Sequence, residues 1–281
     1  MISLAFSPCP NDTFIFAALV HGWIDREELD FDHQLTDVEE LNRWAMEEKT
    51  DLIKVSFYAW LSLRDRYELL ESGSALGFGN GPLLVARGRS FAPLAVTMMP
   101  EALDSSPLLG RGQGWGNMRV ALPGEHTTAH LLFSLAYPQV TRKVFMLFSK
   151  IEEAVLSGEV DAGVIIHENR FTYEQKGLIR IMDLGEYWES KTASPIPLGG
   201  IVARKGLGTE VVSKLNRIMR RSVQYAMDHP EAVMDFVREH AQEMDEEVMK
   251  KHIALYVNRF TLDSGIEGKR AIQTLIDSVN N

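Results

Sequence analysis

The chain has 281 residues, long for one core and comfortable for two domains of ordinary size. With 45% hydrophobic and 24% charged residues it reads as globular, and its net charge of -10, from 39 acidic against 29 basic side chains, argues against non-specific binding to nucleic acid or an anionic membrane. One cysteine permits no internal disulfide, no apolar run reaches membrane-span length, and the chain opens on a strand-like segment rather than a leader, so a cytoplasmic location is expected.

Taken in order, residues 2–6 predict a strand. Ser7-Pro8-Cys9-Pro10-Asn11-Asp12-Thr13-Phe14 follows, and its two prolines suit a rigid strand-to-helix corner, with Asn11 or Asp12 as cap of a helix over 12–20. The amides at such a helix start favour an anionic or carbonyl ligand, although an ordinary corner explains the same residues. A strand over 29–35, a helix over 38–49, a strand over 51–55 and a segment over 57–63 continue the alternation, which implies a mostly parallel sheet with helices on its faces.

The Gly-rich passage 73–82 leads into Leu83-Leu84-Val85-Ala86-Arg87-Gly88, and a similar phrase returns over 196–206 as an apolar strand, Ala-Arg and a glycine. Residues 89–117, rich in Gly, Ser and Pro, read as a long irregular excursion. Between the two phrases a second alternating block runs through 118–122, 127–137, 143–148, 151–157, 160–166 and 178–184. The simplest arrangement has two lobes about a cleft. The first comprises 1–82 with 205–281 and the second 83–204, and the two similar phrases lie side by side as crossover strands. Helices over 209–228, 230–241 and 245–260 should pack mainly on the first lobe, though their apolar stripes equally suit a homodimer contact.

In parallel α/β sheets ligands gather outside the carboxyl ends of strands. Those ends here carry Asn11 and Asp12, Lys54-Val55-Ser56, Asn80, Thr127-Thr128 and His167. His167 directly follows the apolar run Val164-Ile165-Ile166, and imidazole, with an ordinary pKa of about 6.5, is the natural proton carrier near neutrality, although a lone histidine is more often a cap or core residue. Thr127 and Thr128 offer hydroxyls and helix-start amides to a carboxylate, a role compatible with plain capping. Lys54, in a buried strand, either binds a ligand carboxylate or pairs with an internal acid such as Asp12. Ser56 can donate to the same ligand or cap the next helix.

Rival chemistries fit less well. His126 and His130 stand four apart, but no HExxH glutamate and no third ligand accompany them, so a metal site is not implied. Cys9 beside a helix start could act as a nucleophile with His167, yet its flanking prolines suit a fixed corner better than a covalent intermediate. The glycines match neither a phosphate loop nor a dinucleotide fingerprint, and no cofactor is expected.

Ser7 to Phe14, Lys54-Val55-Ser56, Gly79-Asn80-Gly81-Pro82, Gly124 with Thr127-Thr128, and Ile166-His167-Glu168 through Arg170-Phe171-Thr172-Tyr173 together closely resemble the 1,4-dihydroxy-6-naphthoate synthases of the futalosine route of menaquinone biosynthesis. The resemblance runs in order from residue 3 to about residue 205. It implies the two-lobed α/β fold of periplasmic binding proteins and a small-molecule substrate, cyclic dehypoxanthine futalosine, cleaved to 1,4-dihydroxy-6-naphthoate and a ribose-derived fragment. It puts the family's base on His167 and substrate contacts on residues 54–56 and on Thr127 and Thr128. Asn11, Asp12 and Asn80 are added from strand-end position alone. A non-catalytic solute-binding protein of the same fold, taking a small anion, is the competing reading.

Overall fold

Two sheets organise the chain, one in each of two units, residues 1–80 with 194–281 and residues 81–193. The computed structural model describes residues 1–88, 115–241 and 245–280, so the excursion expected over 89–117 lies outside the described residues except for the 3-10 turn Trp115–Asn117.

The first unit opens with β1 (Ile2–Phe6), α1 (Pro10–His21), β2 (Phe31–Leu35), α2 (Val38–Met46), β3 (Leu52–Ser56), α3 (Phe57–Leu61), β4 (Tyr67–Leu69) and β5 (Ala75–Gly77). After Asn80 the second unit supplies β6 (Leu83–Arg87), β7 (Arg119–Leu122), α4 (Thr128–Ala136), β8 (Arg142–Phe145), α5 (Ile151–Ser157), β9 (Ala162–Ile165), α6 (Asn169–Thr172), β10 (Leu178–Asp183) and α7 (Leu184–Thr192). The chain then re-enters the first unit with β11 (Ile196–Arg204), α8 (Thr209–Asp228), α9 (Pro230–His240), α10 (Glu246–Tyr256), α11 (Arg259–Leu262) and α12 (Gly265–Asn280).

The first sheet runs β2-β1-β3-β11-β4, with β5 also on β11, and the second runs β8-β7-β9-β6-β10. Each begins with a parallel trio whose earliest strand is central. Each continues with an antiparallel strand, β11 or β6, and closes with a further antiparallel neighbour, β4 or β10. This shared plan accounts for the similar phrases around residues 83 and 201 and corrects the expectation built on them. They are not paired crossover strands. Leu83 to Ala86 are buried throughout, so β6 needs neighbours on both edges and finds them in β9 and β10. The nine-residue β11 likewise lies between β3 and β4. The return strand therefore belongs to the first unit, which moves the boundary expected at 204 back to residue 193.

The first corner also differs in detail. Cys9, extended at φ -64° and ψ 145°, occupies the N-cap of α1, and Pro10 starts the helix where its missing N–H costs nothing. Asn11 and Asp12 sit inside the first turn. The helix ends at Gly22, whose φ of 69° suits glycine and whose N–H returns to Ala18 and Leu19. Buried along almost its whole length, α1 packs against α8, α9 and α10. Phe6 stacks on Phe16 at 4.3 Å between ring centres. The Ser222 hydroxyl of α8 donates to Ile15 O at 2.6 Å and accepts from Leu19 N at 3.1 Å, fixing the helix pair without an orphaned polar group. The stripes Val212, Leu215, Ile218, Met219 and Val223 of α8 and Val233, Met234 and Val237 of α9 lie in the same core, so these faces are covered within the unit. In the second unit α5 lies close on its sheet, because a Cβ on Gly163 of β9 would stand 2.4 Å from Ile151. No helix among the described residues is long and apolar enough to cross a membrane.

Glu27 pins the loop after α1 to α8: it accepts from Arg217 Nε at 2.9 Å and Nη2 at 2.6 Å, and from Arg221. The guanidinium of Arg217, and then that of Arg221, hold its carboxyl at about 2, against an ordinary 4.5. A folded pKa below the unfolded one stabilises the fold above the unfolded value, and this contribution disappears as pH falls through the folded value. Glu27→Gln should therefore lower the melting temperature at pH 7, and the gap from wild type should close between pH 4.5 and 2 when followed by circular dichroism.

Candidate functional site

In the first unit the carboxyl ends of the parallel neighbours β1 and β3 bring most of the expected residues together. Alternation along β3 puts Lys54 and Ser56 on one face and Ile53 and Val55 on the other. The Val55 side chain is core, packed with Ala5, Leu41 and Ile53, which leaves only the backbone of this residue for the expected ligand contact.

Lys54 pairs with the internal acid. Its ammonium lies 3.1 Å from Asp12 Oδ1 and donates to Gly73 O at 2.9 Å, and both side chains are buried. Asp12 is further filled by Ser7, whose Oγ donates to Oδ2 at 2.7 Å, and by Asn11, whose Nδ2 donates to Oδ1 at 2.9 Å. A buried ion pair persists only when such donors compensate for lost hydration. Ser56 stands apart from this group. Although it precedes α3, its side chain makes no cap bond. Instead Asn42 of α2, fully buried, clasps it twice: Asn42 Oδ1 accepts from Ser56 N at 2.9 Å and Nδ2 donates to Ser56 Oγ at 3.1 Å. With its oxygen accepting, the Ser56 hydroxyl keeps its hydrogen for a further acceptor.

Asn80, the last residue of this unit, is fully buried, and neither amide atom has a partner among the described residues. Gly77 makes room for it, since a Cβ there would lie 3.0 Å from Asn80 Nδ2 and 3.1 Å from Asn258 Nδ2.

In the second unit β7 and β9 are parallel neighbours, so the turns after them share one sheet end. Thr127 is the N-cap of α4: its hydroxyl donates to Gly124 O at 2.9 Å and accepts from His130 N at 3.2 Å. Capping thus occupies that hydroxyl, and buried Thr128 opens the helix. His130 is tied through Nδ1 to Glu125 O at 2.7 Å and through Nε2 to Lys143 at 3.1 Å.

His167 has left-handed backbone, φ 58°, a conformation that costs a non-glycine residue about 1–3 kcal/mol and persists only where its surroundings impose it. Its half-buried ring meets Phe148 edge-on at 4.9 Å. The segment just after it is anchored by Arg170, which donates to Gly81 O at 2.6 Å and Asp183 Oδ2 at 3.2 Å. Burial pushes the Asp183 carboxyl up, Arg170 draws it back, and its Oδ1 caps α7 through Gly185 N and Glu186 N at 2.8 and 3.2 Å.

Sequence reasoning missed Asn42, Asp183, Phe148 and His252, and it assigned Ser7 and Arg170 no contact. The available signal was a polar residue inside an apolar stripe, as with Leu41-Asn42-Ala45 on α2 and Met249-His252-Tyr256 on α10.

A family model described as "Menaquinone biosynthesis" matches residues 2–281. A protein of Thermus thermophilus named 1,4-dihydroxy-6-naphthoate synthase is 48% identical over 274 residues, 98% of this chain and 92% of the relative. A Streptomyces coelicolor protein of the same name is 42% identical over 280 residues, covering 98% and 91%. Among solved structures, protein AF1704 of Archaeoglobus fulgidus superposes with a TM-score of 0.85 at 32% identity, covering 99% of this chain and 96% of that one. The ligand-binding component of an ABC-type import system from Staphylococcus aureus, with a TM-score of 0.64 at 11% identity over 99% and 91%, shares the fold.

A buried amide without a protein partner costs about 1–3 kcal/mol, whereas a similar-sized apolar side chain carries no such cost. Asn80→Leu should therefore raise the melting temperature of the ligand-free protein, the result expected of a residue retained for something other than stability. Calorimetry checks this, and a lowered melting temperature would mean that Asn80 serves the fold.

Proposed function

The chain belongs to the menaquinone-biosynthesis family, and from that membership we propose that it is an enzyme forming 1,4-dihydroxy-6-naphthoate, the compound for which its Thermus and Streptomyces relatives are named. The substrate in this reading is cyclic dehypoxanthine futalosine, and the reaction is a carbon–carbon lyase step in the cytoplasm. Neutral His167 takes a carbon-bound proton made acidic by the substrate's ketone. The electron pair left behind becomes a ring double bond as the carbon–carbon bond to the ribose-derived fragment breaks. The fragment leaves with that bond's electrons and takes back the proton from the His167 imidazolium, and the new aromatic ring supplies much of the driving force.

The observation that carries the assignment is the His167 turn: an imidazole at the carboxyl end of a parallel strand, kept in a strained left-handed conformation with Arg170 and Asp183 fixing the residues that follow. Backbone strain of this kind is retained where geometry matters more than stability. The proposed substrate contacts are Lys54, the Val55 backbone, Ser56, Asn11, Asp12 and Asn80, together with Thr127 and Thr128. Ser56 is supported by a hydroxyl hydrogen that meets no acceptor among the described residues, Asn80 by an amide with no partner among them, and the threonines by the helix start they form, which favours a carboxylate.

Incubating the purified protein with cyclic dehypoxanthine futalosine should yield 1,4-dihydroxy-6-naphthoate by mass analysis; substrate recovered unchanged would instead support a binding protein. His167→Asn should lower kcat by about a hundredfold to ten-thousandfold while keeping the fold and most substrate affinity, because asparagine retains polarity but cannot cycle a proton. Wild-type activity should also decline as pH falls through the range where imidazole becomes protonated, since the cation cannot accept the substrate proton. A variant with near-normal kcat would move the base elsewhere.

A further inference from the structure

His252 lies in the helical tail, far along the chain from every motif discussed above, yet it is fully buried. Its Nε2 stands 2.8 Å from Asn11 Oδ1. The direction of that bond follows from the rest of the group. Asn11 Nδ2 donates to Asp12 Oδ1 at 2.9 Å, so its oxygen faces the histidine, and His252 Nε2 must carry the hydrogen. The bonds converge on one carboxylate: His252 Nε2–H donates to Asn11, Asn11 Nδ2–H donates to Asp12 Oδ1, the Lys54 ammonium lies against the same oxygen at 3.1 Å, and Ser7 donates to the other carboxylate oxygen at 2.7 Å.

Packing does not require an imidazole here. The neighbouring α10 positions facing inward are Met249 and Tyr256, the latter with its ring 4.6 Å away, and an apolar side chain would fill this stripe at no desolvation cost. What an apolar side chain could not do is donate to Asn11. Without that donor the carboxamide is free to rotate, and a rotated Asn11 presents its oxygen rather than its N–H to Asp12, which repels the carboxylate and loosens the hold on Lys54.

We infer that His252 is a positioning residue for substrate binding: by fixing which end of the Asn11 carboxamide faces Asp12, it sets the geometry of the Asp12–Lys54 pair. This rests on the reading of Asn11, Asp12 and Lys54 as substrate contacts. The residue acts through Asn11 and takes no part in proton transfer.

Steady-state kinetics on the full chain with cyclic dehypoxanthine futalosine test it. His252→Leu should raise KM about three- to tenfold, the value of one oriented hydrogen bond, with kcat changed by less than about threefold. His252→Gln, whose side-chain N–H can reach Asn11, should restore KM toward wild type, which a purely space-filling role would not predict. In an Asn11→Ala background, His252→Leu should add no more than about twofold, because the two residues act in series. Unchanged KM in His252→Leu, a loss confined to kcat, or full additivity with Asn11→Ala overturns the inference. If His252→Leu does not fold, His252→Asn, too short to reach Asn11, replaces it. If the wild-type protein leaves the substrate unchanged, the functional reading fails on that result alone. The positional claim is then decided by the Asn11 carboxamide proton resonances. They should lose their dispersion in the Leu or Asn variant and regain it with Gln, and resonances indifferent to the Leu or Asn substitution overturn it.

Discussion

The buried Asp12–Lys54 ion pair is the constraint on which the first unit depends. It joins the first turn of α1 to the middle of β3 and, through Gly73 O, to the turn that precedes β5. Two charges out of water at this depth are not a source of stability in themselves; their desolvation roughly cancels their attraction, and the pair stands because every oxygen of Asp12 meets a donor. Removing either partner would leave the other charge uncompensated. The network therefore fixes conformation more than it adds free energy, and it does so at the strand ends where the ligand groups of α/β sheets collect.

The second unit reaches similar rigidity by another route. There the key turn carries backbone strain at His167, and a guanidinium that reads a carbonyl and a carboxylate together fixes the residues after it. The approach of backbone to backbone behind that anchor is close: a Cβ on Gly81 would lie 2.3 Å from the Gly185 backbone, so no larger residue fits and Arg170 meets a fixed partner. The base proposed for this position needs such definition, since small displacements between a base and an acidic carbon cost rate steeply.

The two sheets share one plan, a parallel trio followed by an antiparallel strand and an antiparallel neighbour. That plan explains an internal similarity that sequence reading noticed and misassigned. Similar apolar phrases around residues 83 and 201 signal equivalent positions in separate sheets, because any strand buried on both faces and flanked on both edges selects the same residues.

Hydrophobic periodicity and turn chemistry sufficed for the alternation of strands and helices, for the helix over 151–157 to the residue, for α8, and for the strand ends that hold His167, Lys54 and Ser56, because these features depend on neighbours within a few residues. The motifs from Ser7 to Tyr173 also carried the family. Sequence left open whether Lys54 meets a ligand or Asp12, and it gave the cap of α1 to Asn11 or Asp12 when Cys9 holds it. It also misplaced β11, whose partners lie more than a hundred residues earlier in the chain. Asn42 clasping Ser56 and His252 reaching Asn11 were equally out of view, since those bonds join residues 14 and 241 positions apart. Local spacing determines which side chains share a face, but only the folded chain decides which buried donor meets which acceptor. Hydrogen bonds form by distance in space, and sequence records distance along the chain.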